Sequence, residues 1–199
     1  FINFPYTHSV GKIPLRVEEL VIGYKKPLLD PISFELVEGE KIAILGQNGV
    51  GKTTFLKTIL GDLPALGGSF SFLPGIVVNY FNQDEKIDLN MSPFDYIHAH
   101  YPELNNTEIR KALGNCGVRK EIALRPMKEL SGGEVAKTRF ALMTFKKSNF
   151  LVLDEPTNHL DQKAKDAIFA SIERYPGSVI IVSHEKDFYD GLVDYELHF

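Results

Sequence analysis

Cysteine and long apolar runs are scarce in this chain. A single cysteine, Cys116, among 199 residues excludes an internal disulfide and suits a reducing cytosol. No apolar stretch approaches the roughly 18 residues needed to cross a bilayer, so direct membrane insertion is not expected. Positive charge is not in surplus either. The formal net charge is −4, which disfavours a broad electrostatic grip on nucleic-acid phosphate. Internal repeats, low-complexity tracts and a signal-like segment are all absent from the sequence, and it opens on Phe1 rather than Met. It reads as a piece of a longer protein. With 44% hydrophobic residues there is ample material for one cored domain.

Two segments carry the chemistry. From Gly46 to Thr53 the chain reads Gly-Gln-Asn-Gly-Val-Gly-Lys-Thr. The β-branched run Lys41-Ile-Ala-Ile-Leu45 precedes it, and a helical stretch from Thr54 to Leu60 follows. Strand, glycine turn and helix form the context in which successive backbone N–H groups cradle an anion. Lys52 supplies a charge for the β and γ phosphates of a nucleoside triphosphate, and the Thr53 hydroxyl a ligand for Mg²⁺. Further on, Phe150-Leu-Val-Leu-Asp154-Glu155 is a buried strand that surfaces at its C-terminal end in two acids, where open α/β sheets bind ligands. Asp154 would reach Mg²⁺ through water, and Glu155 would orient and deprotonate an attacking water.

Leu130-Ser131-Gly132-Gly133-Glu134 is a third element. Locally it is a capping box, Ser131 with Glu134, that starts a helix. Together with the two segments above it makes the chain resemble the ATP-binding cassette (ABC) ATPases. The resemblance implies an α/β P-loop fold: a mostly parallel sheet flanked by helices, an antiparallel β subdomain and a small helical subdomain. The chain would be one cassette, with its core at 14–83 and 149–199 and the helical subdomain at 84–148.

The resemblance also implies a set of site residues. Tyr24 would stack on adenine. Gly46, Asn48, Gly49, Val50, Gly51, Lys52, Thr53 and Thr54 would hold phosphates. Thr53, Gln83 and Asp154 would hold Mg²⁺, with Gln83 also coupling the core to the helical subdomain. Glu155, Gln83 and His184 would form the catalytic set, His184 as the switch histidine at the γ phosphate. Ser131, Gly132 and Gly133 would face the γ phosphate bound by an opposite cassette, so each ATP site would need two domains and a lone copy would be a poor enzyme.

Thr157-Asn-His-Leu-Asp161 is similar to the F subfamily, twin-cassette proteins that act on the ribosome. Phe4-Pro5, Gly11-Lys12 and Val182-Ser-His-Glu-Lys-Asp-Phe188 agree with it. Val135 and the pair Glu185-Lys186 depart from its usual pattern, outside the catalytic set. His159 is given no chemistry, and Asn158 and Asp161 are placed in the loop that meets the partner domain. The short span from Gln83 to Ser131 leaves no room for a large inserted arm, which by resemblance points to the second cassette. The implied partners are a second cassette and, through segments outside this chain, the ribosome. Two other readings stay open: an energy-coupling ATPase subunit of a membrane transporter, and a regulatory cassette that binds ATP without turnover.

Smaller expectations complete the picture. Residues 14 to 45 read as strands broken by Pro27, Pro31 and Gly39, and strands are expected over 69 to 81. Ser92-Pro93 starts a helix, Thr107 to Leu113 forms another, and Asp161 caps one from Gln162 to Tyr175. Cys116 is expected as a small buried hydrophobe where a helix ends.

Overall fold

The computed structural model describes residues 1–8, 11–47 and 51–199. Two sheets organise it. The strands β1 (Leu15–Val21), β2 (Ile32–Leu36) and β4 (Gly67–Phe72) form an antiparallel sheet in the order β2-β1-β4. The strands β3 (Lys41–Leu45), β5 (Val78–Asn82), β6 (Phe150–Asp154), β7 (Ser178–Val182) and β8 (Tyr195–His198) form a parallel sheet in the order β5-β6-β7-β3-β8.

The parallel sheet is covered on both faces, which is why its central strands read as unbroken apolar runs. Alternate residues serve opposite layers. Phe150, Val152, Ile180 and Val182 join Leu15, Val17, Leu20 and Ile22 of the antiparallel sheet with Phe55 and Leu56 of α1 (Lys52–Ile59). Leu151, Leu153, Val179 and Ile181 face the other way, into a cluster with helices α2 (Pro93–His100), α3 (Asn106–Asn115), α4 (Gly132–Met143) and α5 (Gln162–Arg174). A short α6 (Lys186–Tyr189) follows β7.

The helices begin where local chemistry starts them. Ser92 accepts from the Asp95 N–H with Pro93 at the first position, Asn105 and Glu108 close a capping box on α3, and Asp161 accepts from the Ala164 N–H. Each side-chain acceptor satisfies a donor the helix leaves free. The region 69 to 81, expected as strands, is shared between the two sheets. Its first part, with Gly67 and Gly68, is β4 of the antiparallel sheet, and its second, β5, is an edge of the parallel one. The core also starts earlier than residue 14: Ile2 and Phe4 are buried against the helical side, and Tyr6 bridges Ser148. Cys116 is buried at the C-terminal cap of α3, as its composition implied.

Candidate nucleotide site

The parallel register decides where the motifs meet. Asn82, Asp154 and Val182 are paired across β5, β6 and β7, and Ile44 pairs with Val182. The residues that leave these strands, Gln83, Glu155, Ser183-His184 and the loop from Gly46, therefore emerge side by side at one edge. That edge is where open α/β sheets hold ligands.

A cavity of about 190 Å³ opens there, lined by Gly51, Lys52, Thr53, Thr54, Asp154, Glu155 and Val182. Gly51 occupies the left-handed region at φ +106° and caps α1 without a side chain, which lets the loop turn directly into the helix. A Cβ here would meet Ile22 and Leu29 at 3.3 and 3.4 Å, so the loop rests on the turn that carries Tyr24. Tyr24 itself is 61% exposed beside the Gly23–Pro27 bridge, free to offer a ring face. It does not line the cavity. Lys52 is buried, and its Nζ donates to the Gly46 carbonyl at 2.6 Å. Asn48, Gly49 and Val50 lie outside the described residues.

Asp154 is buried at the end of β6. Burial pushes its carboxyl up to about 6, and the neighbouring Glu155 and Asp84 push the same way against Lys52 and Lys57. A carboxylate that is costly to ionise beside an open cavity gains most from a cation. Glu155 adopts φ +49°, a strained backbone fixed by its N–H donating to the Val182 carbonyl at 2.7 Å. The His184 Nδ1 stands 3.1 Å from Glu155 Oε1 and 3.0 Å from Oε2. Only Oε1 lies in a hydrogen-bonding direction, and Oε2 is buried without a partner.

Gln83 takes the same pattern. Its Oε1 accepts from Asn158 Nδ2 at 3.3 Å, while Nε2 is buried and unpartnered. Orphaned buried polar atoms at a ligand edge call for an occupant. The oxygen donors of Thr53, Asp154 and Gln83 suit Mg²⁺, a hard cation held through one or two carboxylates plus substrate phosphates. Among the described residues no three His, Cys, Asp or Glu side chains converge on a metal position.

Ser131, Gly132 and Gly133 are not brought into this cavity. Ser131 caps α4 by accepting from the Glu134 N–H at 3.2 Å, and Glu134 Oε1 accepts in return from the Ser131 N–H at 3.0 Å. Ser131 and Gly132 are exposed, and a helix N-terminus so displayed is a ready anion site.

Several participants escaped the sequence reading. Glu185, set aside there as a departure outside the catalytic set, accepts from Thr157 Oγ1 at 2.8 Å and from Lys165 Nζ at 2.7 Å, tying the loop after β7 to the loop after β6 and to α5. His159, at φ +66°, covers the glycines of α4. Asp161 lies 3.7 Å from Lys137 of α4. Arg139 reaches the loop of Gln83. No spacing rule links these pairs; the one available signal was the polar run Thr157–Asp161 itself.

Lys52 and Thr53 behind a glycine turn, the paired acids Asp154 and Glu155, and His184, at one edge of a doubly covered parallel sheet, define a P-loop nucleotide-binding domain. Residues 29–158 match the family model described as ABC transporter, and the chain belongs to that family of ATP-binding cassettes. It is 40% identical over 187 residues to the uncharacterized ABC transporter ATP-binding protein YfmM of Bacillus subtilis, covering 94% of this chain and 36% of that protein. It is 36% identical over 178 residues to mouse ATP-binding cassette sub-family F member 3, covering 87% of this chain and 25% of that protein. An ABC transporter ATP-binding protein from Pyrococcus furiosus superimposes with a TM-score of 0.76 at 28% identity, covering 92% of this chain and 96% of that one. The chain thus spans about a quarter to a third of the length of the curated relatives it matches. No helix among the described residues is long and apolar enough to cross a membrane.

Proposed function

We propose that this cassette hydrolyses ATP in a site completed by a second cassette, within an F-subfamily protein that acts on the ribosome. The observation that carries the ATPase reading is the convergence of Lys52, Thr53, Asp154 and Glu155 on one cavity, with His184 in contact with Glu155. Lys52 exchanges the Gly46 carbonyl for phosphate oxygens. Thr53, Asp154 and Gln83 would hold Mg²⁺, which would supply charge neutralisation for the triphosphate. Glu155, held in place by Val182, takes the proton of the attacking water, and His184 fixes the Glu155 carboxylate and the γ phosphate. Tyr24 supplies the adenine platform. Asn48, Gly49 and Val50 extend the phosphate loop, and Ser131, Gly132 and Gly133 serve the opposite cassette.

The ribosome reading is supported by the Thr157–Asp161 run and by relatives named as sub-family F. By the same resemblance, and for want of a long insertion between Gln83 and Ser131, this is the second cassette. The net charge of −4 disfavours direct RNA binding by this domain, which fits ribosome contact made mainly through segments outside the chain.

In the full-length protein, Lys52→Ala should abolish ATP binding, as read with a fluorescent analogue. Glu155→Gln should keep binding but lower turnover by about 10²–10⁴-fold. The Glu155→Gln protein with ATP should co-sediment with ribosomes. Failure to co-sediment overturns the ribosome assignment alone; unchanged turnover overturns the catalytic one.

A further inference from the structure

Helix α4 touches the ATP edge of its own domain as well as displaying Ser131 and Gly132. Arg139, two turns into the helix, is 11% exposed in its side chain. Its Nη2 donates to the carbonyls of Gln83 at 3.0 Å and Glu85 at 2.5 Å, and its Nη1 lies 4.0 Å from the Glu85 carboxylate. The next residue, Phe140, stacks on Phe81 of β5 with ring centroids 4.2 Å apart and planes 12° from parallel. Two consecutive residues of α4 therefore hold the end of β5 and the loop that leaves it. The Gln83 side chain, by contrast, has one long hydrogen bond from Asn158 and an unpartnered Nε2. Its place is set through its backbone.

We propose that Arg139 is a positioning residue for Gln83, binding the glutamine loop to the signature helix so that the metal-side glutamine moves with the helix end offered to the opposite cassette. The planar guanidinium, with its fixed fork of donors, can hold the Gln83 and Glu85 carbonyls of an irregular loop together where a flexible point charge holds them less rigidly. From Ser131 to Arg139 the helix rises about 12 Å, and a rigid rod of that length passes a displacement at its N-terminus to the loop. The inference rests on the Gln83 role given above.

A double-mutant cycle in the full-length protein tests it. Arg139→Met, which keeps an apolar stem of similar length, should lower kcat by roughly tenfold, the scale of an ångström-sized misplacement, while KM for ATP stays within about twofold. Arg139→Lys recovers part of kcat. In a Gln83→Ala background, Arg139→Met has no further effect. If the two losses multiply, Arg139 acts elsewhere and the proposal is overturned. If Gln83→Ala alone keeps wild-type turnover, the catalytic role of Gln83 fails, and the proposal with it, by a result the Arg139 variants do not produce. Should Arg139→Met not fold, as read by its melting curve, Arg139→Lys carries the cycle.

Discussion

Gly133 lies directly under the backbone of His159: a Cβ on Gly133 would stand 2.5 Å from the His159 carbonyl oxygen. The glycines of the signature sequence are thus required within this domain, to let the loop after β6 cross α4, besides any role toward a partner. Gly133→Ala must push that backbone away, at a cost of about 1–3 kcal/mol, and displace a loop that begins next to Glu155. Gly132→Ala meets only the His159 side chain, Cγ at 3.1 Å and Cβ and Cδ2 at 3.3 Å, a milder clash that a shift of a few tenths of an ångström relieves. The expected outcome is a clear loss of melting temperature and ATPase activity for Gly133→Ala and a small one for Gly132→Ala. Equal effects would refute the steric account.

Glu185 knots two loops to α5. Burial opposes its ionisation, but the hydrogen bonds from Lys165 and Thr157 outweigh that and hold its carboxyl below the usual range. A depressed folded pKa contributes stability above the unfolded value, lost as pH falls through the folded one. Glu185→Gln should therefore lower stability near neutrality by about 1–2 kcal/mol, with the difference from wild type closing in strong acid. Urea melts at pH 7 and below pH 4 check this.

Asp154 works in the opposite sense. Its folded pKa, raised to about 6 from 3.8, means that the nucleotide-free fold binds more protons than the unfolded chain between those values. Stability is lost as pH rises through that window, by about 3 kcal/mol in all. Asp154→Asn should melt higher than wild type above pH 6 and match it near pH 4, while losing Mg²⁺-dependent ATP binding. Thermal melts across pH without nucleotide, compared with melts in Mg-ATP, separate the two effects.

Cys116 offers a simpler check. Burial pushes its thiol up to about 12, so the nucleophilic thiolate is scarce and shielded at neutral pH. Alkylation by iodoacetamide should follow global unfolding and be negligible in the native protein. Rapid native labelling would show that the α3–α4 side opens on its own.

Much of the architecture was legible in the chain. The apolar runs at 41–45, 150–154 and 178–182 became the central parallel strands, and Ser92-Pro93, Ser131 with Glu134, and Asp161 became helix caps. These signals are local: a strand covered on both faces must be apolar throughout, and a cap acts three residues ahead. The strands expected at 69 to 81 formed, but their allotment to two different sheets was not legible, because sheet membership is chosen by distant partners, β1 for one strand and β6 for the other.

Residue types and short spacings alone settled the central strands, the acids at the end of β6 and the starts of the helices, since each depends on neighbours a few positions away. Folding decided the meetings: His184 with Glu155, Glu185 with Thr157, Arg139 with the loop of Gln83, and His159 over Gly133. Those contacts exist because a parallel sheet in register brings the ends of strands far apart in sequence to one edge, and no local pattern records which side chains will then lie within a hydrogen bond of each other.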